Sequence, residues 1–147
     1  MKQQQTSIDV VILHTDGAAR GNPGHSGIGV VATDEQGNRL WQLSKYIGKA
    51  TNNVAEYTAL IEGLTRAVEL QPRQIRVFMD SELVVKQIRG EYKVKDSKLN
   101  HMFEKVKKIL DEYYGEIVVE HVSRQQNAEA DKLANEAIDR AVRAIGE

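Results

Sequence analysis

Cysteine is absent from the 147 residues, which excludes a disulfide framework, a thiolate metal site and a cysteine nucleophile. Apolar runs are short, none approaching the length of a bilayer span, and residues 1–7 are polar rather than apolar, so no signal peptide or membrane anchor is expected. No internal repeat and no Pro/Ser-rich linker divides the chain. A strong charge of one sign is also missing: the formal net charge is -1, so the molecule as a whole does not attract a polyanion. What remains is ordinary for a globular protein, 41% hydrophobic and 28% charged. The length suits one core, and one domain over 1–147 is expected, with 1–7 a loosely held N-terminus. The expected setting is a monomer in the cytoplasm.

Charge is distributed unevenly. Residues 86–108 carry eight Lys or Arg against three Asp or Glu, on an otherwise acidic body. Such a segment either brings a polyanion to one face or forms a solvated helix surface. Composition alone leaves both open.

Hydrophobic spacing divides the chain into elements. Strands are expected at 10–16, 27–33, 40–47, 75–79 and 116–122, and helices at 53–70, 81–88, 99–114 and 128–145. The Asp34-Glu35-Gln36-Gly37-Asn38 stretch has hairpin chemistry, and Pro72 stops the first helix. The order β-β-β-α-β-α-α-β-α predicts an α/β fold: a five-stranded mixed sheet, three antiparallel strands then two parallel, with helices on both faces. In such sheets ligands sit beyond the carboxyl ends of the parallel strands. Asp16 and Asp80 each end an expected parallel strand, Asp16 at the start of a glycine-rich turn.

Glu56 and Asp131 join them as candidates near helix starts. Each acid also has a purely structural reading. Asp16-Gly17 is a turn pair. Glu56 could close a capping box with Asn53. Asp80 could cap or favour the next helix, and Asp131 could favour the last one. Together they read differently. Two unit charges about 4 Å apart repel by about 4 kcal/mol at an effective dielectric near ~20. Capping gains of about 1 kcal/mol each do not offset that. A divalent cation does, and all-oxygen ligation points to Mg²⁺ or Mn²⁺ rather than Zn²⁺.

Four segments, TDGAARGNPG (15–24), TNNVAEYTAL (51–60), MDSELVVKQI (79–88) and NAEADKLAN (127–135), resemble in order the signature blocks of type 1 ribonuclease H. The resemblance covers nearly the whole chain and implies the ribonuclease H-like sheet. It implies hydrolysis of the RNA strand of an RNA–DNA hybrid, giving 5′-phosphate and 3′-hydroxyl ends, with two metal ions clamping the scissile phosphate. In the family pattern Asp16 would bridge both ions, Asp131 serve the water-side ion, and Glu56 and Asp80 the leaving-group side. Gly17, Ala18, Asn52, Asn53 and Glu56 would meet RNA 2′-hydroxyls. Thr51 would grip a DNA-strand phosphate, and Asn22 is a further substrate-side position.

The chain departs from the pattern twice. The loop before Asn127 is short, so His121 falls at the end of the fifth strand and Arg124 takes the place where a histidine usually works. The basic protrusion of some members is missing, with Lys93, Lys95 and Lys98 as partial substitutes. Another metal-dependent polynucleotidyl transferase of the same fold, or a catalytically weak nucleic-acid-binding module, are the alternatives. A nucleotide-binding loop over 17–29 lacks the Lys-Ser/Thr ending that phosphate loops use.

Overall fold

The computed structural model describes residues 8–146, so the expectation for residues 1–7 lies outside the described part. In chain order the elements are β1 (Val10–Gly21), β2 (Gly24–Thr33), β3 (Arg39–Ala50), α1 (Asn52–Glu69), β4 (Gln74–Met79), α2 (Glu82–Ile88), α3 (Ser97–Glu112), β5 (Glu116–His121), a 3-10 turn (Gln125–Asn127) and α4 (Ala128–Ala144). The sheet order is β3-β2-β1-β4-β5. The first three strands are antiparallel, and β4 and β5 run parallel to β1, as the crossover through α1 requires. This is the expected mixed sheet.

The apolar run Val10, Val11 and Leu13 is buried because β1 is central and covered on both faces. On one side α1 lays Tyr57, Leu60, Leu64 and Ala67 over Val11, Leu13, Val30 and Ala32, and Val84, Val85 and Ile88 of α2 and Val106 of α3 extend that core. On the other side Ala130, Ala134, Ala137 and Ile138 of α4 are buried against β1–β3. Small residues let α4 approach closely. A Cβ at Gly29 would stand 2.0 Å from the Ala130 carbonyl oxygen, so any side chain there would push the helix off the sheet. Among the described residues no helix is long and apolar enough to cross a membrane.

Local chemistry explains the punctuation. The Asp34 carboxylate accepts hydrogen bonds from the Gln36 and Asn38 amides, both 2.9 Å, closing the expected turn between β2 and β3. Strand β1 differs from expectation. It runs five residues past Asp16, because its antiparallel ladder with β2 continues to Gly21 opposite Gly24. Asp16 therefore lies within a strand rather than at the start of a turn. Parallel pairing with β4, however, stops at His14 opposite Phe78, so Asp16 still projects beyond the end of the parallel ladder.

Candidate active site

The chain brings three of the four expected acids together. Oxygen atoms of Asp16, Glu56 and Asp80 all lie within 4.8 Å of one another. Asp16 comes from β1, opposite Gly29. Asp80 immediately follows β4, and Glu56 sits on α1 one turn in from its start. Asp131, in the first turn of α4, is exposed and lines the same cleft. It is not one of the mutually close trio, but its side chain reaches Asp16 and helps to raise that carboxyl. The Asp131 carboxylate also accepts from Asn135 Nδ2 at 3.2 Å.

Two capping readings fail on geometry. The α1 cap is Thr51, whose hydroxyl accepts from the Val54 amide at 3.2 Å, while Glu56 reaches away from its own helix and accepts the Gly17 amide at 2.9 Å. The α2 cap is Ser81, which accepts from Val84 at 3.3 Å, so Asp80 is not needed there. The Gly17–Glu56 bond is possible because β1 and α1 touch. A Cβ on Gly17 would lie 2.2 Å from the Ala55 carbonyl carbon and 2.4 Å from the Glu56 nitrogen.

Burial governs the electrostatics. Asp16 and Glu56 are each only 4% exposed. Burial, then repulsion from Glu56 and Asp80, pushes the Asp16 carboxyl far above the ordinary carboxylate range. Burial also raises Glu56 against the opposing pull of the Gly17 amide, and Asp80 adds repulsion. Asp80 is raised mainly by burial, with hydrogen bonding to Asp16 and the charge of Arg124 working the other way. Buried carboxyls at this separation hold protons unless a cation shares the space. An all-oxygen set, no Cys in the chain and no imidazole in the trio fit a hard divalent ion such as Mg²⁺ or Mn²⁺.

The remaining expected residues divide between two adjoining depressions. Gly17, Ala18, Asn52 and Arg124 line the acid cleft. Asn22, Thr51 and Asn53 line a neighbouring groove together with Lys49 and Lys98. The two are joined where the Asn22 side-chain oxygen accepts the Asn52 amide at 3.1 Å. His121 ends β5 opposite Met79, exposed and outside the cleft. Lys93 and Lys95 are exposed on the connection between α2 and α3 and line neither depression.

Two participants escaped the sequence. Lys49 belongs to the groove, and its only signal was a cation two residues before Thr51, outside the basic segment. Asn127 is 1% exposed and donates through Nδ2 to the Thr15 carbonyl at 2.9 Å, tying the start of α4 to the residue before Asp16. A buried asparagine 112 positions away in the chain leaves no local pattern to read.

A family model described as reverse transcriptase-like matches residues 14–137. A bifunctional protein of Mycobacterium tuberculosis is 43% identical over 132 residues, 89% of this chain and 36% of the relative, so the chain spans little more than a third of that relative's length. A ribonuclease H of Coxiella burnetii is 32% identical over an alignment covering 97% of this chain and 96% of the relative. A ribonuclease H1 isolated from compost by a metagenomic approach superposes with a TM-score of 0.86 at 49% identity, covering 91% of this chain and 99% of that one. That protein has also been solved in complex with an RNA/DNA hybrid, matching here with a TM-score of 0.84. Sheet order, sequence blocks and relatives matched along nearly their whole length agree: the chain belongs to the type 1 ribonuclease H family.

Proposed function

We propose that the protein hydrolyses the RNA strand of RNA–DNA hybrids, leaving 5′-phosphate and 3′-hydroxyl ends, and that it acts as a monomer in the cytoplasm. The observation that carries this reading is the trio of carboxylates within 4.8 Å, set in a cleft beside a groove with two lysines. Asp16, Glu56, Asp80 and Asp131 are the residues assigned to hold two Mg²⁺ or Mn²⁺ ions. When bound, such ions supply Lewis-acid charge at the scissile phosphate and its leaving oxygen. Asp16 is assigned to both cation positions, Asp131 to the side of the attacking water, and Glu56 and Asp80 to the leaving-group side.

The other residues bind and orient. Ala18 and Asn52 line the acid cleft and are assigned to the RNA strand, where contact with 2′-hydroxyls separates RNA from DNA. Gly17 contributes by letting α1 close on β1, its amide being held by Glu56. Asn53, which lines the groove, is assigned with Ala18 and Asn52 to the 2′-hydroxyls. Thr51, with Lys49 and Lys98 alongside, is assigned to a DNA-strand phosphate and Asn22 to a further substrate-side position. Arg124 is assigned to phosphate charge; a guanidinium does not release a proton near neutral pH, so it is not a proton shuttle. Lys93 and Lys95 are assigned to the outer hybrid backbone.

A cleavage assay tests the reading. An end-labelled hybrid should be cut in its RNA strand with Mg²⁺ or Mn²⁺ and left intact with EDTA, while single-stranded RNA and duplex DNA survive. Hybrid binding without cutting in either metal would replace the hydrolase by a binding module.

A further inference from the structure

Asp16 and Glu56 are buried and Asp80 is half-buried, whereas Asp131, which reaches Asp16 from the first turn of α4, is exposed. An unrestrained carboxylate there samples several rotamers, and ordering it on binding a ligand costs conformational entropy. The hydrogen bonds around it form a relay that removes this freedom. Asn135 Nδ2 donates to the Asp131 carboxylate at 3.2 Å and to the Asp131 carbonyl at 3.0 Å. The Asn135 side-chain and backbone oxygens accept from Arg20 Nη2, each at 3.3 Å. Arg20 Nη1 pairs with Asp139 at 2.7 Å. Arg20 lies on β1 two pleats beyond Asp16 and therefore on the same face of the strand.

The chemistry allows one arrangement. A guanidinium only donates and a carboxylate only accepts, so an amide between them must turn its oxygen to Arg20 and its nitrogen to Asp131. Arg20 and Asp139 are 43% and 45% exposed, and an ion pair so exposed adds little to stability. The relay is better matched to orientation. A neutral amide also restrains Asp131 without neutralising it, which a lysine or arginine at the same position would do.

We infer that Asn135, oriented by Arg20 and Asp139, is a positioning residue that sets the Asp131 carboxylate for the cleft. This rests on the assignment of Asp131 to a cation above. Removing an outer partner of a metal ligand typically lowers metal affinity or activity by about 10–100-fold. Asn135→Ala should accordingly lower kcat for hybrid cleavage about tenfold with little change in KM, and should weaken Mn²⁺ binding measured by calorimetry in the absence of nucleic acid. Arg20→Ala, which alters neither Asp131 nor a residue lining the cleft, should give a smaller loss in the same direction. In an Asp131→Ala background, Asn135→Ala should have no further effect on either readout. Thermal unfolding of each variant without metal identifies any failure to fold, and Arg20→Ala then carries the test.

Wild-type Mn²⁺ affinity and kcat in Asn135→Ala would overturn the inference. So would a loss that persists in full when Asp131 is already removed, because it would then act through the fold at large. Failure of the hydrolase reading is distinguishable: the wild type would not cut hybrid in any metal, and the Mn²⁺ arm alone would decide whether Asn135 positions Asp131.

Discussion

Glu56 accepts a hydrogen bond from a strand 39 residues away rather than from its own helix start. Sequence offered both an acid near an asparagine pair and a capping box, and nothing local to it could separate them. The decision comes from Gly17, whose missing side chain lets α1 press on β1. Gly17→Ala places a methyl against main-chain atoms that have nowhere to go. It should lower the free energy of unfolding by about 3 kcal/mol in a denaturant titration and reduce cleavage with it. Asp80 behaves in the opposite way. Two other acids crowd it, burial outweighs the opposing charge of Arg124, and Ser81 already caps α2. Asp80→Asn should abolish hybrid cleavage while leaving the melting temperature without metal equal to or above wild type. A clear drop in that melting temperature would restore a structural role for the carboxylate.

At the scale of elements, the type and order of the strands and helices were legible, because buried faces repeat at 2 or 3.6 residues. The overrun of β1 was not. Residues Ala18, Ala19, Arg20 and Gly21 carry no apolar alternation, and what makes them a strand is register with β2, a partner folded back from beyond the turn. The split of the expected substrate residues was equally hidden. Asn52 faces the acid cleft and its neighbours Thr51 and Asn53 the groove, because successive residues at a helix start point in different directions. The connection between α2 and α3 keeps its lysines exposed on an irregular segment. Charge counting alone could not choose between it and the groove as the anion contact. Salt dependence can. Replacing Lys49 and Lys98 together by Ala should reduce the slope of log K against log salt for hybrid binding by about two. The Lys93→Ala/Lys95→Ala pair should also lower it, and an unchanged slope would remove that segment from the interface.

For the molecule as a whole, a net charge of -1 conceals a concentrated negative site. The folded state raises the carboxyls of Asp16, Glu56 and Asp80, chiefly through burial. A raised carboxyl retains its proton in the folded state after the unfolded chain has lost it. Its contribution is therefore full below the ordinary carboxylate range and is lost as pH rises through the raised values. The melting temperature in EDTA should fall between about pH 5 and pH 8. Added Mg²⁺ should raise it more at about pH 8, where the site is closer to full ionisation, than at about pH 5. Equal stabilisation at both values would mean that the ion binds elsewhere.

The seating of α4 on the bare main chain of Gly29 has a further consequence. With Ala130 held by direct contact at that point and Asn127 tied to Thr15, the height and rotation of the helix are determined by the sheet beneath it and not by the segment that leads into it. Apart from Arg124, which lines the cleft, that lead-in is consequently free to vary. Residues inserted between His121 and Gln125 would lengthen the rim of the cleft while Asp131 kept its station, so new contacts to a ligand could be acquired there without rebuilding the acid cluster.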